Sequence, residues 1–406
     1  MTTPANTAPN PRRVGIWIIG ALGSVSGTVA LGLALADAST QSGMVTAMPP
    51  FAPLQLDSLS SFTVGGHDIR PGTLFDSVLL LHERSRLFTY QQLSQSQPTL
   101  EQWSANIRPG VILAANPTIV NMSDSRRVQA VATPRQAIAA IQADLQAFQR
   151  DQQLDQVVVV NLASTEPPFE AGDMHQSLEL LQAQLDTTDR VILPTSSLYA
   201  YAAIDLGMPY VNFTPSTGSS LPALEELTRL RKTVVAGKDG KTGETLLKTA
   251  LAPMFAQRNL QVLSWVGYNI LGNRDGQVLH DPANKASKVK TKDAVLASIL
   301  GYRPQSQVAI EYIESLDDWK TAWDHIHFEG FLGTKMVMQL TWQGADSILA
   351  APLVLDLARL TLFAQRRGEV GILSHLACFF KSPMGSNVHE LARQWQLLEA
   401  YLASCV

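Results

Sequence analysis

Apolar residues recur along this chain in two registers, and the point where one gives way to the other divides it. Val14–Ile19 is an apolar run that closes on Gly20-Ala-Leu-Gly23-Ser-Val-Ser-Gly27. That pattern predicts a fully buried strand, a turn, and a helix from Thr28 to Ala38. Further unbroken runs follow at Val111–Ala115, Val157–Val160, Val191–Leu193, Tyr210–Phe213 and Thr233–Ala236. Strands that show no polar alternation are covered on both faces, as in a parallel sheet. Helical patterns at Pro134–Arg150 and Met174–Leu185 lie between them. Alternating strands and helices predict a doubly wound α/β domain.

After about Leu246 the pattern changes. Val262–Tyr268, Val308–Ile313 and Lys335–Thr341 are rich in aromatic and β-branched residues and predict strands, whereas Ala294–Leu300 and Trp319–His325 read as helical. This is the signature of an α+β unit with a mostly antiparallel sheet. Asp346–Arg367 then reads as one long helix, apolar around much of its surface, returning to the first domain. The second unit is therefore an insertion at about 246–345, between 13–245 and 346–406. No internal repeat is visible.

Composition narrows the picture by exclusion. The 406 residues suffice for two domains with ample cores. Hydrophobic residues make up 46% and charged ones 16%, as in an ordinary globular chain. A net charge of −4, with arginine pairs only at 12–13, 126–127 and 366–367, leaves no electrostatic footprint for nucleic acid. Cys378 and Cys405 cannot build a disulfide framework or a zinc site by themselves, which fits a reducing cytoplasm. Residues 1–12, small, polar and broken by three prolines, read as a disordered tail. Arg12–Arg13 before the first apolar run resemble an export signal or the flank of a membrane span. The clustered Gly20, Gly23, Gly27 and Gly32, with serine and threonine between them, favour strand, turn and buried helix instead, so no membrane partner is expected.

Lysine is distributed unevenly. The first 231 residues contain none, although they hold thirteen arginines, and no lysine follows Lys381. An ammonium is compact and can give up its proton where a guanidinium cannot. Lys288, Lys292, Lys320 and Lys381 are therefore candidates for a site that handles an oxyanion and moves protons. Lys288 and Lys292 are four apart and share one face of a helix, where like charges repel unless an anion sits between them. Lys285 and Lys290 read as a solvated face. The spacing of the first turn, G-x-x-G-x-x-x-G, departs from the usual dinucleotide fingerprint, and Asp68 lies far later than its acid, so by position it reads as a turn residue. The loop Ala236-Gly-Lys-Asp-Gly-Lys-Thr-Gly243 lacks the first glycine of a P-loop. Scattered histidines give no metal site, and no G-x-S-x-G elbow is present.

Taken together and in order, several stretches resemble the inositol-1-phosphate (inositol-3-phosphate) synthase family, in its shorter archaeal and bacterial form. They are Val-Gly-Gly-His-Asp-Ile at 64–69, Asn-Leu-Ala-Ser-Thr-Glu at 161–166, Tyr-Val-Asn-Phe-Thr-Pro-Ser at 210–216 and Gly-Lys-Thr-Gly-Glu-Thr at 240–245. Tyr-Asn-Ile-Leu-Gly-Asn-Arg-Asp-Gly at 268–276, Ser-Lys-Val-Lys-Thr-Lys at 287–292, Asp-Trp-Lys-Thr-Ala at 318–322, Ala-Asp-Ser-Ile-Leu-Ala-Ala-Pro at 345–352 and Phe-Lys-Ser-Pro-Met at 380–384 complete the set. The resemblance implies a Rossmann-like doubly wound parallel sheet interrupted by an inserted α+β domain for catalysis and tetramerisation. It implies a cytoplasmic homotetrameric isomerase that converts the sugar phosphate glucose 6-phosphate to an inositol phosphate with NAD. Lys288 and Lys320 would then surround the C5 oxygen, Lys292 and Lys381 would bind phosphate and the aldol oxyanion, and Asp318 would sit beside Lys320. Gly20, Leu22, Gly23, Asp68, Ser164, Thr165, Asp239, Asp275, Asp346 and Ser347 would hold the dinucleotide. Where the family often has Gly-Asp-Asp, this chain has Gly237-Lys238-Asp239, which leaves a mono- or divalent cation requirement open. A related carbocycle-forming synthase, a sugar-phosphate dehydrogenase and a silent NAD-binding scaffold are the competing readings.

Overall fold

A computed structural model of the chain describes residues 12–36, 41–113, 117–273 and 295–405. The expected tail lies outside them except for Arg12, which pairs with Asp57 at 3.0 Å. Lys285, Lys288, Lys290, Lys292 and Asp275 also lie outside.

Seven strands form one parallel sheet: β1 (Val14–Ile19), β2 (Phe62–Asp68), β3 (Ile107–Pro109), β4 (Gln156–Asn161), β5 (Tyr210–Asn212), β6 (Val234–Gly237) and, after four strands of a second sheet, β11 (Gly371–Ile372). Their order is β11-β6-β5-β4-β1-β2-β3. The order reverses between β1 and β4, and ligands of such sheets bind outside the carboxyl ends of the strands at that switch. Val14, Ile16 and Ile18 face one apolar core with helices Ser24–Leu35 and Asp346–Arg366. Trp17 and Ile19 face another, with helices Pro134–Asp151 and Thr195–Asp205. Both faces are covered, which is why β1 shows no alternation. Among the described residues one helix, Asp346–Arg366, is long and apolar enough to cross a membrane, and 72% of its apolar window is buried inside the protein.

The second sheet, in the order β10-β9-β7-β8, comprises β7 (Gln261–Leu271), β8 (Gln305–Tyr312), β9 (Trp319–Glu329) and β10 (Lys335–Ala345). It is antiparallel except where β7 meets β8. Helix Glu244–Gln257 covers one face with Ala252 and Phe255 against Val262, Trp265, Ile326 and Phe328.

Three expectations need correction. Trp319–His325 is strand, not helix: Ala322, Asp324, Ile326 and Phe328 alternate inward, and the acid among them hides the period. Asp324 is tolerated because the Trp265 indole donates to it at 2.7 Å. Val111–Ala115 is not a strand over its described part, since the third strand ends at Pro109 and the Val111 N–H donates to the Tyr199 hydroxyl instead. Val191–Leu193 is a loop whose Ile192 carbonyl bonds the His175 ring at 2.8 Å. The second strand went unpredicted because it contains two glycines. A Cβ on Gly66 would collide with the Ile18 carbonyl, so β1 and β2 approach closely only with glycine there.

Candidate active site

The turn after β1 fixes one wall of a cavity of about 860 Å³ at the carboxyl ends of the parallel strands. Gly20 has φ of +81°, and a Cβ there would lie 2.9 Å from the Ala163 Cα, so only glycine lets the turn pass the end of β4. Gly23 then caps helix Ser24–Leu35, whose first residues face the cavity. Helix N-termini of this kind favour a phosphate. Asp68 ends β2 beside this turn, not in a turn of its own, and its Oδ2 accepts the Leu22 N–H at 2.7 Å. Its late position in sequence comes from the excursion between the first helix and β2. That excursion is pinned by Asp356, which accepts from Val45 N–H at 2.6 Å, Thr46 N–H at 3.0 Å and the Thr46 hydroxyl at 2.5 Å.

The opposite wall comes from the second sheet and the chain returning from it. Lys320 near the start of β9 and Asp346 at the head of the long helix pair at 3.3 Å. Asn273, just past β7, donates to the other Asp346 oxygen at 3.1 Å. Lys381 reaches Asp239, beyond β6, at 2.7 Å. Asp318 is buried. Its Oδ2 accepts from Ser347 N–H at 3.0 Å and the Ser347 hydroxyl at 2.7 Å, while its Oδ1 has no hydrogen-bond partner among the described residues. Burial pushes the Asp318 carboxyl up to about 6; the Ser347 bonds oppose this, and Asp346 and Asp317 add to it.

Gly20, Leu22, Gly23, Asp68, Ser164, Thr165, Asp239, Asp318, Lys320, Asp346 and Lys381 thus line one cavity. Ser347 stands behind Asp318 rather than on the wall. Lys288, Lys292 and Asp275 lie outside the described residues.

A family model for myo-inositol-1-phosphate synthase matches residues 36–403. An inositol-3-phosphate synthase of Bacteroides thetaiotaomicron is 30% identical over 98% of this chain and 96% of its own. Another from Oryza sativa subsp. japonica is 30% identical over 84% of this chain and 70% of its own. The chain belongs to the myo-inositol-1-phosphate synthase family. The solved inositol-3-phosphate synthase of Caenorhabditis elegans has the same fold, with a TM-score of 0.87 at 24% identity over 97% of this chain and 86% of its own. A related protein of Thermotoga maritima superposes with a TM-score of 0.77 at 23% identity over 97% of this chain and 99% of its own. The fold is of the NAD-binding Rossmann type. The family is an NAD-binding one and its relatives are inositol-3-phosphate synthases, so the protein is an enzyme with NAD as its cofactor.

The cavity fits that cofactor. The glycine turn, the helix N-terminus and the acid at the end of β2 occupy the positions that hold a pyrophosphate and a ribose in such folds. Sequence reasoning missed several neighbours. Lys241 is buried and donates to Gln394 on the C-terminal helix; burial lowers its ammonium to about 8. Glu166 closes the motif at 161–166 with Oε1 accepting the Ser196 N–H at 2.9 Å and Oε2 buried without a hydrogen-bond partner among the described residues, and burial raises its carboxyl. Arg70 and Thr242 also line the cavity. The motif stretches that pointed to the family contained Glu166, Lys241 and Thr242, but nothing in spacing distinguished them. Lys238 is half-buried with its ammonium lowered by burial, and no cluster of metal-ligating side chains occurs among the described residues.

Proposed function

We propose that this chain converts D-glucose 6-phosphate to 1D-myo-inositol 3-phosphate, through oxidation at C5, enolisation, intramolecular aldol closure and re-reduction. The observation that carries the reading is the convergence of Lys320 and Lys381, from different elements, on the cavity that the glycine turn and Asp68 also line. Bound NAD supplies the reversible redox chemistry. The chain's own groups supply charge and protons. A ketone, an enolate and an aldolate each place negative charge on oxygen, and a fixed ammonium in a water-poor cleft stabilises it. Asp346 and Asp239 hold the two ammonium groups at 3.3 and 2.7 Å, so little reorganisation is needed as the charge develops. Lys320, with Lys288, is assigned to the C5 oxygen; Lys381, with Lys292, to the phosphate and the aldol oxyanion. Asp318, with a carboxyl near 6 and an uncommitted oxygen, suits proton transfer near neutral pH. Gly20, Leu22, Gly23, Asp68, Ser164, Thr165, Asp239, Asp275, Asp346 and Ser347 are assigned to the dinucleotide.

The same reading makes 13–245 plus 346–406 the dinucleotide domain and 246–345 the catalytic and assembly domain of a cytoplasmic homotetramer. The face of the second sheet turned away from helix Glu244–Gln257, where Tyr268, Trp323 and His325 are half-buried and in ring contact, supports an assembly surface there. Incubation with glucose 6-phosphate and catalytic NAD, read by phosphorus NMR, tests the activity. The expected result is an inositol phosphate with no accumulation of reduced cofactor. Stoichiometric reduction would identify a dehydrogenase, and no reaction a silent scaffold. Lys320→Ala and Lys381→Ala should each lower turnover by about a hundredfold or more in folded protein.

A further inference from the structure

We propose that Arg70 makes the ribose corner of this site accept a 2′-phosphorylated dinucleotide as well as NAD, so that Arg70 sets the cofactor range. The inference rests on the dinucleotide reading above.

An acid at the end of the second strand of such a fold selects a ribose hydroxyl, and as a free anion it repels a 2′-phosphate. The Asp68 carboxylate is not free. Its Oδ2 accepts the Leu22 N–H at 2.7 Å, and its Oδ1 accepts the Arg70 N–H at 2.9 Å. The Arg70 side chain closes on it through Nε to Oδ1 at 3.2 Å and Nη2 to Oδ2 at 3.4 Å. A guanidinium has two edges that can each donate a parallel pair of hydrogen bonds. Asp68 occupies the Nε/Nη2 edge. On the Nη1/Nη2 edge, Nη1 has no hydrogen bond among the described residues. The Asp68 side chain is 2% exposed and that of Arg70 19%, and both residues line the cavity. The negative charge of this corner is therefore buried and matched, and the positive charge is its accessible part.

The surroundings agree. Beyond the pair the cavity wall is apolar, built by Ile69, Val111, Ile112, Ile119 and Met122, the chemistry an adenine ring requires. The nearby acids are engaged elsewhere. Asp76 accepts the Thr73 N–H at 2.8 Å to cap its helix, Asp124 is held by Arg126 at 2.6 Å, and Asp317 pairs with Arg84 at 3.5 Å. Asp68 stays as the acceptor that fixes both the glycine turn and the guanidinium, while Arg70 presents its outer edge to a phosphate on the 2′ oxygen.

The test is calorimetric titration of nucleotide-free protein with NAD and with NADP. Wild-type protein should bind NADP within about tenfold of NAD. Arg70→Ala should lower the NADP affinity relative to NAD by about thirtyfold or more, the loss of one charge-assisted two-point contact. Arg70→Lys, which keeps the charge without the planar fork, should fall between the two. Because the first measurement needs no variant, a misfolded substitution leaves it standing: adenosine 2′-monophosphate should also compete with NAD on wild-type protein. NAD binding with NADP excluded, or an unchanged NADP-to-NAD ratio in folded Arg70→Ala, would overturn this assignment alone. Failure of both dinucleotides to bind wild-type protein would overturn the dinucleotide site and the assignment together.

Discussion

Replacing Asp318 by asparagine should make the protein more stable at high pH while disabling it. The carboxyl is 3% exposed, and burial raises it from its ordinary 3.8 to about 6. Such a group lends the fold its full support below about 3.8, where both folded and unfolded chains hold the proton, and loses that support as pH rises through about 6. The shift corresponds to about 3 kcal/mol at pH 8, of which about 2 kcal/mol develops between pH 4.5 and pH 8. Asparagine carries no such penalty and its amide oxygen can still accept from Ser347. Asp356, also raised to about 6, is present in both proteins and cancels from the difference. With an unfolding entropy of about 2.1 cal/mol/K per residue over 406 residues, the variant's advantage in melting temperature should grow by about 2 °C across that interval. Thermal melts of the two proteins in matched buffers measure it. In parallel, wild-type turnover should fall below pH 6 as Asp318 protonates, and the variant should lose that inflection along with most of its activity. A melting difference that does not change with pH would refute the claim that Asp318 is held as a costly buried acid.

Two further outcomes follow from the geometry. In melts at pH 4, where burial of the Asp356 carboxyl carries little penalty, Asp356→Ala leaves the Val45 and Thr46 N–H groups without their acceptor, which should cost about 3 kcal/mol and lower the melting temperature by about 3–4 °C; turnover per folded molecule should hold, and a loss of turnover without a loss of stability would contradict a purely structural role. Asp239→Asn releases the Lys381 ammonium from its 2.7 Å partner and should cut turnover by about tenfold or more; wild-type turnover in that variant would show that the pair does not position the lysine.

How much of this was legible depended on whether a residue's reason lay nearby in sequence. β1 declared itself because both of its faces are covered, so its run was unbroken. β2 did not, because Gly65 and Gly66 are there to let Trp17, Phe148 and the Ile18 carbonyl come close, and those neighbours are distant in sequence. β9 was misread because one of its inward positions is Asp324, whose partner Trp265 belongs to another strand. Asp68 was displaced from its expected spacing by an excursion whose anchor, Asp356, lies about 300 residues later, as does Arg359, which donates to the Asp57 carbonyl at 2.9 Å. The family motifs gathered the site residues that periodicity could not, but they carried no signal for Arg70, whose significance appears only where its guanidinium meets Asp68.

The restriction of lysine to the middle of the chain has a structural counterpart. Among the described lysines, Lys232 and Lys335 are exposed, whereas Lys238, Lys241, Lys248, Lys320 and Lys381 are buried or half-buried. Four of these five meet a specific partner: Gln394 for Lys241, Glu244 at 2.6 Å for Lys248, Asp346 for Lys320 and Asp239 for Lys381. Each lies between the end of β6 and the segment after the long helix, where the two sheets share the cavity. A guanidinium in these places would be a larger, permanently charged plane demanding several acceptors. An ammonium fits beside one carboxylate, and burial can lower its proton affinity, as it does to about 8 at Lys241. In the first 231 residues arginine takes both roles, pairing with the exposed Asp186 through Arg135 and with the buried Asp57 and Asp68 through Arg12 and Arg70. Two of the buried ammonium groups, Lys320 and Lys381, line the cavity itself, each held by one carboxylate, and Lys241 and Lys248 stand behind it in the same stretch of chain.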